Sequence, residues 1–122
     1  MDKIELQRRT KRFAVDTIKF IGELPNNRAV NVLVNQLLRS CTSIGANYRS
    51  ACKGKSIADF INKIVITEEE ADESIYWLEL IEESGLVENS KLIPLKKEPK
   101  ELTAIFTAIG KTAKENQKIN KK

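Results

Sequence analysis

Gln36-Leu37-Leu38-Arg39-Ser40-Cys41-Thr42-Ser43-Ile44-Gly45-Ala46-Asn47-Tyr48-Arg49 lays two parallel stripes along what must be one helix. Val34, Leu37, Cys41, Ile44 and Tyr48 recur at steps of three and four, as do Gln36, Arg39 or Ser40, Ser43, Asn47 and Ser50. The first stripe is suited to a core. The second is too polar for a dry core and too poor in charge for an ordinary solvated face, so it is expected to meet a polar neighbour.

Outward from this stretch, the chain divides at its turn signals. Towards the N-terminus, Leu24-Pro25-Asn26-Asn27 combines a residue that cannot continue a helix with two good N-caps, so a helix should begin near Asn27. Before it, residues 3–23 repeat Leu6, Phe13, Ala14, Thr17, Ile18 and Ile21 on one face, ending at Gly22 and Pro25. Gly45 is costly as a helix former, and beside Ser43 and Ala46 it points to a close helix approach.

Towards the C-terminus, Cys52-Lys53-Gly54-Lys55-Ser56 reads as a tight turn with Ser56 as the next N-cap. Residues 57–84 then carry Ile57, Ile61, Ile64, Ala71, Ile75, Leu78 and Ile81 or Glu82 as a bundle seam, with Glu68 falling on it and Gly85 as the C′ residue. Leu92, Leu95, Leu102, Phe106, Ile109 and Ala113 form a last heptad whose missing member is Pro99, expected to bend or restart the helix. Beyond Asn116 the apolar period is lost, and residues 117–122 are expected to be a frayed basic tail. The expectation is an all-α, antiparallel up-down-up-down four-helix bundle occupying residues 1–116 as a single domain.

Composition narrows the chemistry. Cys41 and Cys52 lie on one helix, roughly 16 Å apart at ~1.5 Å rise per residue, too far for a disulfide. They are expected to be free thiols in a reducing compartment. Neither a signal peptide nor an apolar run of ~18 residues is present, so the protein is expected to be cytoplasmic with no membrane partner. The chain contains no histidine. That removes the Glu-x-x-His pairs of di-iron bundles as well as Ser-His and Cys-His nucleophiles. The glycines are too dispersed for a phosphate loop. No catalytic, cofactor-binding or metal-ligating residue is therefore assigned, and no cofactor is expected.

Charge is unevenly distributed: net +2 over residues 1–24, +5 over 25–55, −9 over 56–88 and +6 over 89–122. Helices that neutralise one another, within a bundle or between copies, account for this pattern; a basic surface for nucleic acid is the alternative. We expect Arg39, Ser43 and Asn47 to form a structural polar network with Glu68, Glu69 and Asp72. Ile75 and Leu78 take the seam, which leaves Tyr76 and Trp77 for a flank or a subunit interface.

Two long motifs carry a family resemblance. Gln36-Leu37-Leu38-Arg39-Ser40 with Thr42-Ser43-Ile44-Gly45-Ala46-Asn47-Tyr48-Arg49 is the first, and Glu69-Glu70-Ala71-Asp72-Glu73 with Tyr76-Trp77-Leu78-Glu79-Leu80 is the second. Together they resemble the bacterial four helix bundle protein family. That family includes the proteins encoded in intervening sequences of 23S ribosomal RNA genes, and is similar to the accessory variability proteins of diversity-generating retroelements. The resemblance runs from about Arg9 to Lys114. It implies a left-handed bundle that assembles as a homopentamer, with partners among structured RNA or DNA and a reverse transcriptase or other protein. On this reading Arg49, Lys53 and Lys55 are the expected phosphate contacts, and Arg8, Arg9 and Arg12 a supporting patch. A protein-binding adaptor or assembly module is the alternative.

Overall fold

Each helix begins where a side chain can accept the free backbone N–H groups of a first turn. In the computed structural model, which describes residues 1–120, Asp2 Oδ1 accepts from the Glu5 N–H at 2.8 Å and opens α1 (Lys3–Gly22). Asn27 Oδ1 accepts from the N–H groups of Ala29 and Val30 at 2.9 and 3.2 Å and opens α2 (Arg28–Cys52). Ser56 Oγ accepts from the Asp59 N–H at 3.1 Å and opens α3 (Ile57–Glu83). A 3₁₀ turn over Asn89–Lys91 leads into α4 (Leu92–Asn120). Gly85, at φ +69°, takes the left-handed conformation that ends α3, and Val87 packs back on the core.

The helices form an antiparallel four-helix bundle. Consecutive helices pack together and α1 closes on α4. No helix among the described residues is long and apolar enough to cross a membrane.

The core follows steps of three and four on every helix, but not always on the expected residues. In α1 the buried stripe is Leu6, Thr10, Phe13, Thr17 and Phe20, while Ile18 remains 47% exposed. In α3 it is Ile64, Thr67, Ala71, Ser74, Leu78 and Ile81; Thr67 takes the place expected of Glu68, Ser74 that of Ile75, and Ile57 is 43% exposed. The reason is common to all five buried polar residues, each a hydroxyl that donates to a carbonyl in its own preceding turn. Thr10 donates to Gln7, Thr17 to Phe13, Ser40 to Leu37, Thr67 to Lys63 and Ser74 to Glu70, at 2.7 to 3.1 Å. A hydroxyl satisfied this way is buried at little cost, and its small size lets helices approach. Ser74 Oγ lies 2.9 Å from Ser40 Oγ at the α2–α3 contact.

α4 does not restart at Pro99: one helix runs through this residue, whose ring is buried at the heptad position between Leu95 and Leu102. It extends to Asn120, into the stretch 117–122 expected as a frayed basic tail, of which Lys121 and Lys122 lie outside the described residues. Gly110 rather than Ile109 is the buried residue after Phe106, and a Cβ there would touch Ile64 Cγ2 at 3.4 Å.

Candidate functional site

α1 and α2 approach closely at Gly45. A Cβ at this position would lie 3.3 Å from Thr10 Oγ1 and 3.7 Å from the Lys11 backbone nitrogen. Bringing the helices together here leaves an open groove of about 610 Å³ along their outer face. Ile4, Thr10, Ala14, Thr42, Gly45 and Ala46 contribute its small and apolar surface.

Four cations line this groove: Arg8 and Lys11 from α1, Arg49 and Lys53 from α2 and its C-terminal cap. Arg8 and Lys11 are three residues apart, and Arg49 and Lys53 four, so each pair shares one helix face. No carboxylate is among the lining residues. None of the four cations makes a salt bridge among the described residues. Like charges held together across a depression reinforce one another's field, and the groove is therefore a concave cationic surface.

Three of the six expected phosphate contacts, Arg8, Arg49 and Lys53, meet here, and the other three do not. Arg9 is turned about 100° from Arg8 around the helix axis. It points to α4, where Nε donates to Glu98 Oε2 at 2.8 Å and Nη2 donates to Glu98 Oε1 at 2.6 Å and Glu101 Oε1 at 3.0 Å. These hydrogen bonds raise its pKa further, against a smaller opposing effect of burial. Arg12 lies 3.4 Å from Asp16 one turn on and lines a separate depression against α4. Lys55 lies beside Phe60, Ala113 and Asn116 at the α3–α4 side. Lys11 is not among the expected contacts, although its spacing of three from Arg8 places both on one helix face.

The expected polar network is corrected in the same way. Arg39 does reach the acidic helix, but its partners are Glu70, at 3.2 and 3.3 Å, and Glu73. Glu73 also accepts from Trp77 Nε1 at 3.3 Å. With Thr67, Ala71 and Ser74 in the core, α3 turns Glu70 and Glu73 towards α2 and Glu69 and Asp72 outwards. Glu68 instead accepts from the Thr107 hydroxyl at 2.8 Å. Ser43 and Asn47 make no hydrogen bond to an acid among the described residues; they donate to the Arg39 and Ser43 carbonyls of their own helix at 2.6 and 2.8 Å.

Trp77 is half-buried against the core of its own bundle, and Tyr76, edge-on to it at 5.1 Å, is 53% exposed. Both cysteines are free, and burial pushes the Cys41 thiol up to about 12. Among the described residues no group of His, Cys, Asp and Glu could hold a metal ion.

A model of the 23S rRNA-intervening sequence proteins matches residues 2–108. A solved structure of a protein of unknown function from the S23 ribosomal protein family of Bacteroides thetaiotaomicron is 34% identical in sequence. The similarity covers 91% of this chain and 99% of that one, with a TM-score of 0.82. No curated protein matches the chain.

Proposed function

The chain belongs to the 23S rRNA-intervening sequence protein family, and from that premise we propose that it is a non-enzymatic protein that binds structured nucleic acid through the α1–α2 groove. The observation that carries this reading is the meeting of Arg8, Lys11, Arg49 and Lys53 in one groove without a carboxylate. Such an arrangement attracts phosphate, and the cations release condensed counterions when they engage it. The lining offers no thiol, carboxylate or imidazole to serve as a general base or nucleophile, which favours binding over catalysis.

Titration of a structured RNA against the protein, followed by fluorescence anisotropy at rising salt, tests the reading. With four phosphates engaged per groove, the logarithm of the affinity should fall against the logarithm of salt with a slope of about −3 to −4. Substituting Arg49→Glu together with Lys53→Glu should abolish most of the affinity. Arg12→Glu, on the α4 side, should change it little. Salt-insensitive or absent binding, or an equal loss in the Arg12 variant, would overturn the proposal.

Assembly into a homopentamer, implied by the family resemblance, belongs to the same proposal. Exposed Val15, Ile18 and Leu38 on α1 and α2 support burial of further surface between copies. A cytoplasmic location follows from the same reading. One feature favours a protein partner, such as a reverse transcriptase, as a second reading: exposed Tyr76 flanked by the outward-facing Asp72 and the half-buried Glu79 of α3. Copurification of a protein that is lost on Tyr76→Ala, with no nucleic acid carried along, would select it.

A further inference from the structure

The shape and composition of the α1–α2 groove specify the form of nucleic acid it accepts. We infer that its occupant is the sugar-phosphate ridge of a double helix, held without base stacking and without sequence readout. The inference rests on the nucleic-acid reading above and narrows it.

Three observations converge. First, no aromatic side chain lines the groove. Phe13, Phe20, Tyr48 and Phe106 are in the core, Trp77 and Phe60 pack against it elsewhere, and Tyr76 stands on the acidic helix. Proteins that hold single strands stack successive bases on aromatic side chains, and this surface has no platform for it.

Second, the cations flank a depression between two antiparallel helices, with Thr10 packed against Gly45. Reading base edges requires an element that projects into a nucleic-acid groove. A concave surface receives a convex one, and in a duplex the convex feature is the phosphodiester backbone.

Third, the recognition chemistry on offer is charge with a few short hydroxyls. A duplex presents about one charge per 1.7 Å of axis, roughly twice the density of one of its strands. A site that works by phosphate neutralisation therefore favours the duplex.

The test compares binding of the intact protein to RNA duplexes of about 20 base pairs, roughly two helical turns, in three unrelated sequences, and to an unstructured oligouridine of the same length. Anisotropy titrations at one fixed salt concentration should give duplex affinities within roughly threefold of one another and roughly tenfold above the single strand. All should be lost in the Arg49→Glu/Lys53→Glu variant, whose helical circular dichroism at the assay temperature should match the wild type.

Oligouridine bound as tightly as duplex, with the same loss in the double variant, would overturn this inference and leave the nucleic-acid reading standing. So would strong preference for one duplex sequence. No binding to any of these RNAs would overturn both. A DNA duplex of matched sequence should bind within about tenfold of the RNA duplex, because the phosphodiester chemistry is shared.

Discussion

Arg8 and Arg9 are adjacent and chemically identical, yet one faces an open groove and the other is clamped by Glu98 and Glu101. A rotation of about 100° per residue is enough to separate a groove-lining cation from an ion-paired one. Arg39 makes a related point about magnitude. Its side chain is 48% exposed, so solvent screens its bonds to Glu70 and Glu73. Arg39→Ala should therefore cost about 1 kcal/mol or less in urea denaturation, against the ~3–5 kcal/mol expected had the pair been buried. The same pair predicts a pH dependence. The Arg39 guanidinium, by hydrogen bond, holds Glu73 below its ordinary value, partly offset by desolvation and aided by Trp77. A lowered carboxylate pKa stabilises the fold fully above the ordinary range and ceases to do so as pH falls through the lowered value. Wild type and Arg39→Ala should thus differ at neutral pH and converge only once the pH has fallen below the lowered Glu73 value. A gap that widened in acid would contradict this account.

At the scale of the helices, Pro99 is the informative departure. It sits past the first turn of α4, where a missing N–H leaves the Leu95 carbonyl without its ordinary intrahelical donor. Proline in a helix interior is disfavoured by ~3 kcal/mol relative to alanine, whereas losing its buried ring would cost ~1–2 kcal/mol. Pro99→Ala should consequently stabilise the bundle by ~1 kcal/mol, raising the melting temperature by about 4 °C. A lowered melting temperature would mean that the ring's packing outweighs the missing hydrogen bond. The helix starts at Asn27 and Ser56 and the stop at Gly85 were legible in the sequence, because caps and left-handed glycines act locally. The rotation of α1 and α3 was less legible. Apolar counting favoured Ile18, Ile57 and Ile75, whereas burial chose Thr10, Thr67 and Ser74, whose hydroxyls are satisfied within their own helices.

For the whole molecule, the decisive measurement is size. Light scattering should give a mass near five times the 13.8 kDa chain, and a clean monomer at micromolar concentration would refute the assembly proposed above. By itself the sequence determined a four-helix bundle: residues three and four apart share a helix face, and turn chemistry is encoded within a few residues. It also identified Arg8, Arg49 and Lys53 as cations of interest, and the approach at Gly45. Only the tertiary structure decided which cations stand side by side. Arg8 and Lys11 meet Arg49 and Lys53 because α1 and α2 run antiparallel and touch at Thr10 and Gly45. It also decided that Arg9, Arg12 and Lys55 stand apart and that Arg39 takes Glu70 and Glu73. These assignments depend on how far each helix is turned about its axis. That rotation is fixed by packing against residues distant in sequence, which local periodicity does not contain.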